Sequence, residues 1–318
     1  MPNTKELQNR INSIRDTMKI TNAMYMISSM KLRKAKAKLE NTEPYFEGLK
    51  EEILNVLLHF PDMKDHYFYN SDEELEDDGH EPKRGFIIVV GDKGMAGAYN
   101  HNVIKEALLH INQDDRLFVV GEVGRHELAA AGFNVESEFL FSATNPTMHR
   151  ARVIAENIVE MYKNKELDEV HLIYTYMVNT MKSEIRKERL LPLKTHTFLK
   201  DELIEKAMSE QGDKTREQIE REAEDWYNIY PNPRKVLEKL VYNYITGYVY
   251  GVLVEGSASE ENARMMAMQA ATDNAGEMLG ELSIQFNRAR QSAITQEITE
   301  VIAGAKALKK KKQKKVRR

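Results

Sequence analysis

The sequence predicts an α+β chain: an antiparallel two-helix coiled coil built from both termini, with a small α/β domain between them in the chain. Three observations carry this. Apolar and small residues recur by sevens from Leu7 to Leu39, the spacing of a coiled-coil seam. A second such stripe runs from Met265 towards Leu308. Between them short β-rich runs alternate with helical ones, the grammar of an α/β domain.

The first seam has Leu7, Ile14, Thr21, Ser28 and Ala35 on one line and Ile11, Met18, Tyr25, Leu32 and Leu39 on the other. No proline falls between Pro2 and Pro44, and the pattern extends through "YFEGLKEEILNVLLHF", so residues 1–60 form the N-terminal helix. At about 1.5 Å per residue such a helix is roughly 80 Å long and needs a partner of similar length. Its middle, "KITNAMYMISSMKLRKAKAK", is Met-rich and then basic. That makeup suits a membrane surface, nucleic acid or a partner protein.

Residues 61–84 have no helical or strand period and include "SDEELEDDGHE", an acidic loop. Residues 85–200 form the α/β domain, Rossmann-like with a largely parallel sheet. "GFIIVV", "RLFVVG", "EVHLIYTYM" and "KERLLPLK" are its strands; "NVIKEALLHI", "GRHELAAAG" and "TMHRARVIAENIVEMYKN" are its helices. A charged helix and "PNP" occupy residues 201–233. Residues 234–308 form the C-terminal helix, with Met265, Thr272, Leu279, Phe286 and Ala293 on one line and Met268, Ala275, Leu282 and Ala289 on the other. The stripe then shifts to Ile294, Ile298, Val301, Ala305 and Leu308, a stutter in the repeat. Gly276 and Gly280, four apart, are expected to let the two helix backbones approach. A basic tail, 309–318, ends the chain.

Composition removes several functions. The chain has no cysteine, which excludes disulfides, thiolate metal sites and a thiol nucleophile. The apolar run Leu240 to Val254, "LVYNYITGYVYGVLV", is shorter than the roughly 20 residues of a membrane span, and the opening residues lack a secretory signal's apolar core. A net charge of -4 conceals segregation: basic residues concentrate at the two ends and acids in the loop. Those basic ends support an alternative class, a basic coiled-coil nucleic-acid-binding or scaffold protein. However, "KKKKQKKVRR" has no interleaved aromatic residue for base stacking.

The one stretch resembling a nucleotide loop is "VVGDKGMAGAYNHN". Its glycines, Gly91, Gly94 and Gly97, are spaced three and three, whereas a dinucleotide fingerprint needs two then three, and no Gly-Lys-Ser/Thr follows. It reads as a structural turn. The nine histidines form no helical ligand pair with a carboxylate, so no cofactor or metal is expected.

"RINSIRDTMKITNAMYMISSMKLRKAKAK", "GDKGMAGAYNHN", "LLPL" and above all "ARMMAMQAATDNA" and "NRARQSAITQEITEVIAGA" resemble the gamma subunit of F-type ATP synthases, bacterial type. The resemblance implies a non-catalytic rotor shaft that couples ion-driven turning of a membrane c ring to ATP synthesis and hydrolysis. It implies three alpha and three beta subunits around the coiled coil, an epsilon subunit and the c ring below, and a delta subunit within reach of the tail. Nucleic acid is then not a partner, and membrane association runs through the complex, at the cytoplasmic face of the cell membrane. By the same resemblance Met24, Arg264, Arg290, Gln291, Thr295 and Glu297 meet alpha or beta. Lys31, Arg33, Lys34 and Lys36 face the acidic lever of beta, and Tyr227 and Tyr230 form the foot on the c ring. The sequence departs from that pattern in the long acidic loop, in the basic tail and in lacking an acid before the first proline of "PNP".

Overall fold

The computed structural model describes residues 4–60, 67–69, 82–194, 230 and 232–316; side chains of residues 58, 59, 69 and 307–316 are not described. The acidic stretch 71–81, the charged helix of residues 201–227 and the side chains of the basic tail lie outside the described residues. In chain order the elements are α1 (Thr4–His59), β1 (Phe68–Tyr69), β2 (Arg84–Val89), α2 (Tyr99–Leu108) and β3 (Arg116–Val120). They continue with α3 (Glu122–Ala130), α4 (Met148–Lys163), β4 (Glu169–Met177), β5 (Ser183–Leu191), β6 (Leu193–Lys194) and α5 (Pro233–Val316). These residues form two compact units, 1–27 with 265–318, and 28–264.

In the first unit, α1 and α5 pack on each other through the heptad positions. Leu7 and Ile11 are buried on α1, Met268 and Ala275 on α5, and the Thr21 and Thr272 hydroxyls meet at 2.7 Å. Each of these threonines also contacts a carbonyl one turn back, Met18 and Met268 respectively. Both hydroxyls are thereby satisfied inside an apolar seam, where an unmet one would be costly. Gly276 and Gly280 take no part: both are exposed, and a Cβ at either would meet open space. The expectation of close approach there is corrected by their phase, because both fall off the seam that Met268, Thr272, Ala275 and Leu279 define.

The second unit is built on a four-stranded sheet of order β3-β2-β4-β5. β2 runs parallel to β3 and β4, and β5 pairs antiparallel with β4. Alternation sorts its side chains. Phe86, Ile88 and Val90 face α2 and α3, while Ile87, Val89, Leu172 and Tyr174 face α4, the end of α1 and the first half of α5. Covered on both faces, the inner strands read as continuous apolar runs. β5 begins at Ser183, earlier than its apolar residues suggest, because Asn179 turns the chain. Its side-chain oxygen accepts from the backbone N–H groups of Met181 and Lys182, both at 2.8 Å.

The apolar run at Leu240 to Val254 is the core of this unit. Val241, Ile245, Val249, Leu253 and Val254 are each at most 2% exposed, as expected of a helix apolar all round and enclosed all round. Close helix approach occurs here, at Gly247, where a Cβ would sit 1.7 Å from the Phe46 ring. Pro44 lies inside α1 and costs it a hydrogen bond. The helix continues because Phe46, Leu49, Ile53 and Val56 bury against the core beyond it. Among the described residues no helix is long and apolar enough to cross a membrane.

Candidate functional site

Two regions stand out, one in each unit. In the first, the two helices are antiparallel with Thr21 level with Thr272, so the described start of α1, Thr4, lies about level with Ala289. Beyond it α5 has no partner among the described residues. Every side chain from Arg290 to Lys306 is exposed. The shifted stripe remains as an uncovered apolar line, with Ile294 48%, Ile298 54% and Val301 72% exposed. Arg290, Gln291, Thr295 and Glu297 all stand on this free end, and the Thr295 hydroxyl donates back to the Gln291 carbonyl. Met24, on α1, is half-buried.

In the second unit Arg33 and Lys34 are exposed and Lys36 half-buried. Lys31 is engaged within the chain, 2.9 Å from the Glu261 carboxylate. Arg264 is also engaged: its side chain is 10% exposed and its guanidinium pairs with Glu260 and, at 3.1 Å, with Glu261. Tyr230 is 90% exposed; Tyr227 lies outside the described residues.

Sequence reasoning missed what surrounds Arg264. From Glu255 to Arg264, α5 presents buried polar groups on nearly every side. The Glu255 carboxylate accepts from the Met177 N–H at 2.7 Å, and the Tyr99 hydroxyl donates to the Gly256 carbonyl at 3.0 Å. The Ser259 hydroxyl donates to the Thr175 carbonyl at 3.1 Å, and the Asn262 amide to the Thr180 carbonyl at 3.0 Å. Glu260 lies over the loop after β2, where a Cβ on Gly91 would come within 2.9 Å of its carboxylate. A Cβ there would meet the Asn100 side-chain oxygen first, at 2.8 Å, so Gly91 leaves room for both Asn100 and Glu260, and the glycine-rich loop is a seat for α5. The signal available in sequence was "EGSASEENAR" itself, four acids and amides beside an apolar helix.

The electrostatics follow from burial and pairing. Burial raises the Glu255 and Glu260 carboxyls above the ordinary glutamate value, against the opposing pull of the Met177 N–H and of Arg264 respectively. For Glu261 burial acts in the same direction, but Lys31 and Arg264 prevail and hold it low. Burial pushes the Tyr99 hydroxyl far up, so it serves as a fixed donor. Every one of these groups has a protein partner, a structural arrangement with no free acid or base. Among the described residues no group of His, Asp and Glu side chains could hold a metal ion.

A family model described as ATP synthase matches residues 3–308. The ATP synthase gamma chain of Acetivibrio thermocellus is 41% identical over 311 residues, which cover 97% of this chain and 100% of the relative. The chain belongs to the ATP synthase gamma chain family. The gamma chain of Ruminiclostridium cellulolyticum is 38% identical, over 96% of this chain and 99% of its own length. Among solved structures, a chain from the rotor of the Euglena gracilis mitochondrial ATP synthase superimposes with a TM-score of 0.60. It is 13% identical and the match covers 92% of this chain and 98% of that one, so the fold is shared where the sequence has largely changed.

Proposed function

We propose that this gamma chain is the central shaft of a rotary ATP synthase, turned by a membrane c ring and acting on three alpha and three beta subunits around its coiled coil. The observation that carries the reading is the free end of α5, an asymmetric helix with one uncovered apolar line and no partner among the described residues. An asymmetric axle gives three otherwise equivalent catalytic sites different contact free energies, and that difference shifts each between open and closed states as the axle turns. The chain supplies no catalytic group of its own. Arg290, Gln291, Thr295 and Glu297 on the free end, with Met24 on α1, make the contacts to alpha and beta, and Arg33, Lys34 and Lys36 offer positive charge to an acidic lever of beta. Tyr227 and Tyr230 are the foot on the c ring, and an epsilon subunit joins the rotor there. A delta subunit lies within reach of the tail. The protein is peripheral, held at the cytoplasmic face of the cell membrane by its complex.

The test is reconstitution. Purified chain alone hydrolyses no ATP, whereas adding it to alpha and beta subunits and to vesicles carrying the membrane sector restores ATP-driven ion pumping. Nucleotide hydrolysis by the isolated chain, or failure to restore pumping, overturns the reading.

A further inference from the structure

The polar groups of residues 255–264 distribute around α5 at about 100° per residue. Glu255, Ser259 and Asn262 face the end of β4 and its following turn, through Met177, Thr175 and Thr180. Gly256 faces the helix after β2 through the Tyr99 hydroxyl, and Glu260, paired with Arg264 on its own helix, lies close to Gly91. Glu261 faces α1 through Lys31. Ser259, Glu260, Glu261 and Asn262 are each at most 6% exposed. Just before this segment, Val249 to Val254 are held by close packing of apolar side chains in a filled core. Hydrogen bonds are directional and weaken steeply when a helix rotates about its axis. A helix bonded to three separate elements on three sides therefore gains a directional restraint on twisting in addition to its close packing.

We infer that residues 255–264 form a polar collar that fixes the rotational setting of α5 against the sheet domain, and that torque enters α5 through this collar. Ser259 and Asn262 are positioning residues for coupling, acting through the helix that runs on to Val316. The inference rests on the shaft reading given above. It adds where in the chain rotation of the domain becomes rotation of the axle.

The experiment uses the reconstituted complex with three forms of this chain: the parent, the double variant Ser259→Ala/Asn262→Ala, and Val241→Ala. Val241 is fully buried on the same helix outside the collar, so its truncation lowers thermal stability without touching the polar ring. Ions pumped per ATP hydrolysed and the torsional stiffness of the rotor in single-molecule recordings are measured beside Tm. For the double variant the expected result is assembled complex that hydrolyses ATP while pumping per ATP and stiffness fall by about threefold, within the range of coupling changes from interior networks. Val241→Ala is expected to lower Tm with pumping per ATP unchanged. If both variants lose pumping only in proportion to stability, or if the double variant pumps and resists twist like the parent, the collar is overturned. If the parent itself restores no pumping, the shaft reading fails first, and the two failures are told apart.

Discussion

At the scale of single residues, two glycines with the same sequence appearance have opposite surroundings. Gly280 sits on an exposed helix surface with nothing near it, and Gly247 sits against the Phe46 ring. Gly280→Ala removes the conformational freedom that glycine gives the unfolded chain, and should stabilise the protein by about 0.5–1 kcal/mol. Gly247→Ala forces ring and backbone apart in a filled core, and should destabilise it by about 1–3 kcal/mol. Thermal denaturation of the full chain checks both signs together, and equal effects would refute the packing described. Neither sign was legible in the sequence, where Gly276 and Gly280 looked like the close-packing pair. Spacing by four reports that two residues share a helix face; it does not report which face the partner takes.

At the scale of elements, the heptads were legible except at Ala293, an expected seam position that is exposed because α1 does not reach it. All ten expected seam positions of α1 are buried or half-buried, from Leu7 to Leu39. The seam of α5 holds from Met265 to Ala289 and then the same kind of apolar stripe continues with no cover. Most helical stability in proteins comes from tertiary packing of the apolar face. Amides of residues 290–306 should therefore exchange with solvent faster in the isolated chain than those of residues 268–286, and should become protected in the assembled complex. Hydrogen exchange measured in both states checks this. Protection of the free end in the isolated chain would mean that another part of the chain covers it.

At the scale of the whole molecule, half-buried carboxylates of opposite tendency shape the dependence of stability on pH. The carboxyl of Asp92 is held below its ordinary value: burial raises it, but hydrogen bonds from Ser142, Thr144 and Ala143 more than offset that. Its stabilisation is present above the unfolded value, about 3.9, and is lost as pH falls through the lower folded one. Glu255 works the other way, since a raised folded value makes its contribution largest below the ordinary glutamate value, and that contribution is lost as pH rises. Asp92→Asn should thus lower Tm near pH 7 with the gap closing below about pH 4. Glu255→Gln keeps the acceptor for the Met177 N–H and should raise Tm near pH 7, with its gap also closing on acidification. Melting curves across pH for both variants and the parent check the two signs.

The sequence by itself determined the elements and the two-part architecture of this gamma chain. Seven-residue and two-residue periods are local properties, written in the order of apolar residues along each segment. It also marked the family, through "ARMMAMQAATDNA" and "NRARQSAITQEITEVIAGA". Only the tertiary structure decided where α5 outruns α1, which glycines touch anything, and that Lys31 of α1 pairs with Glu261 of α5. Each of these depends on groups more than a hundred residues apart in the chain or on the phase of one helix against another. Burial, which sets both the cost of a charge and its partner, is not a property of any segment taken alone.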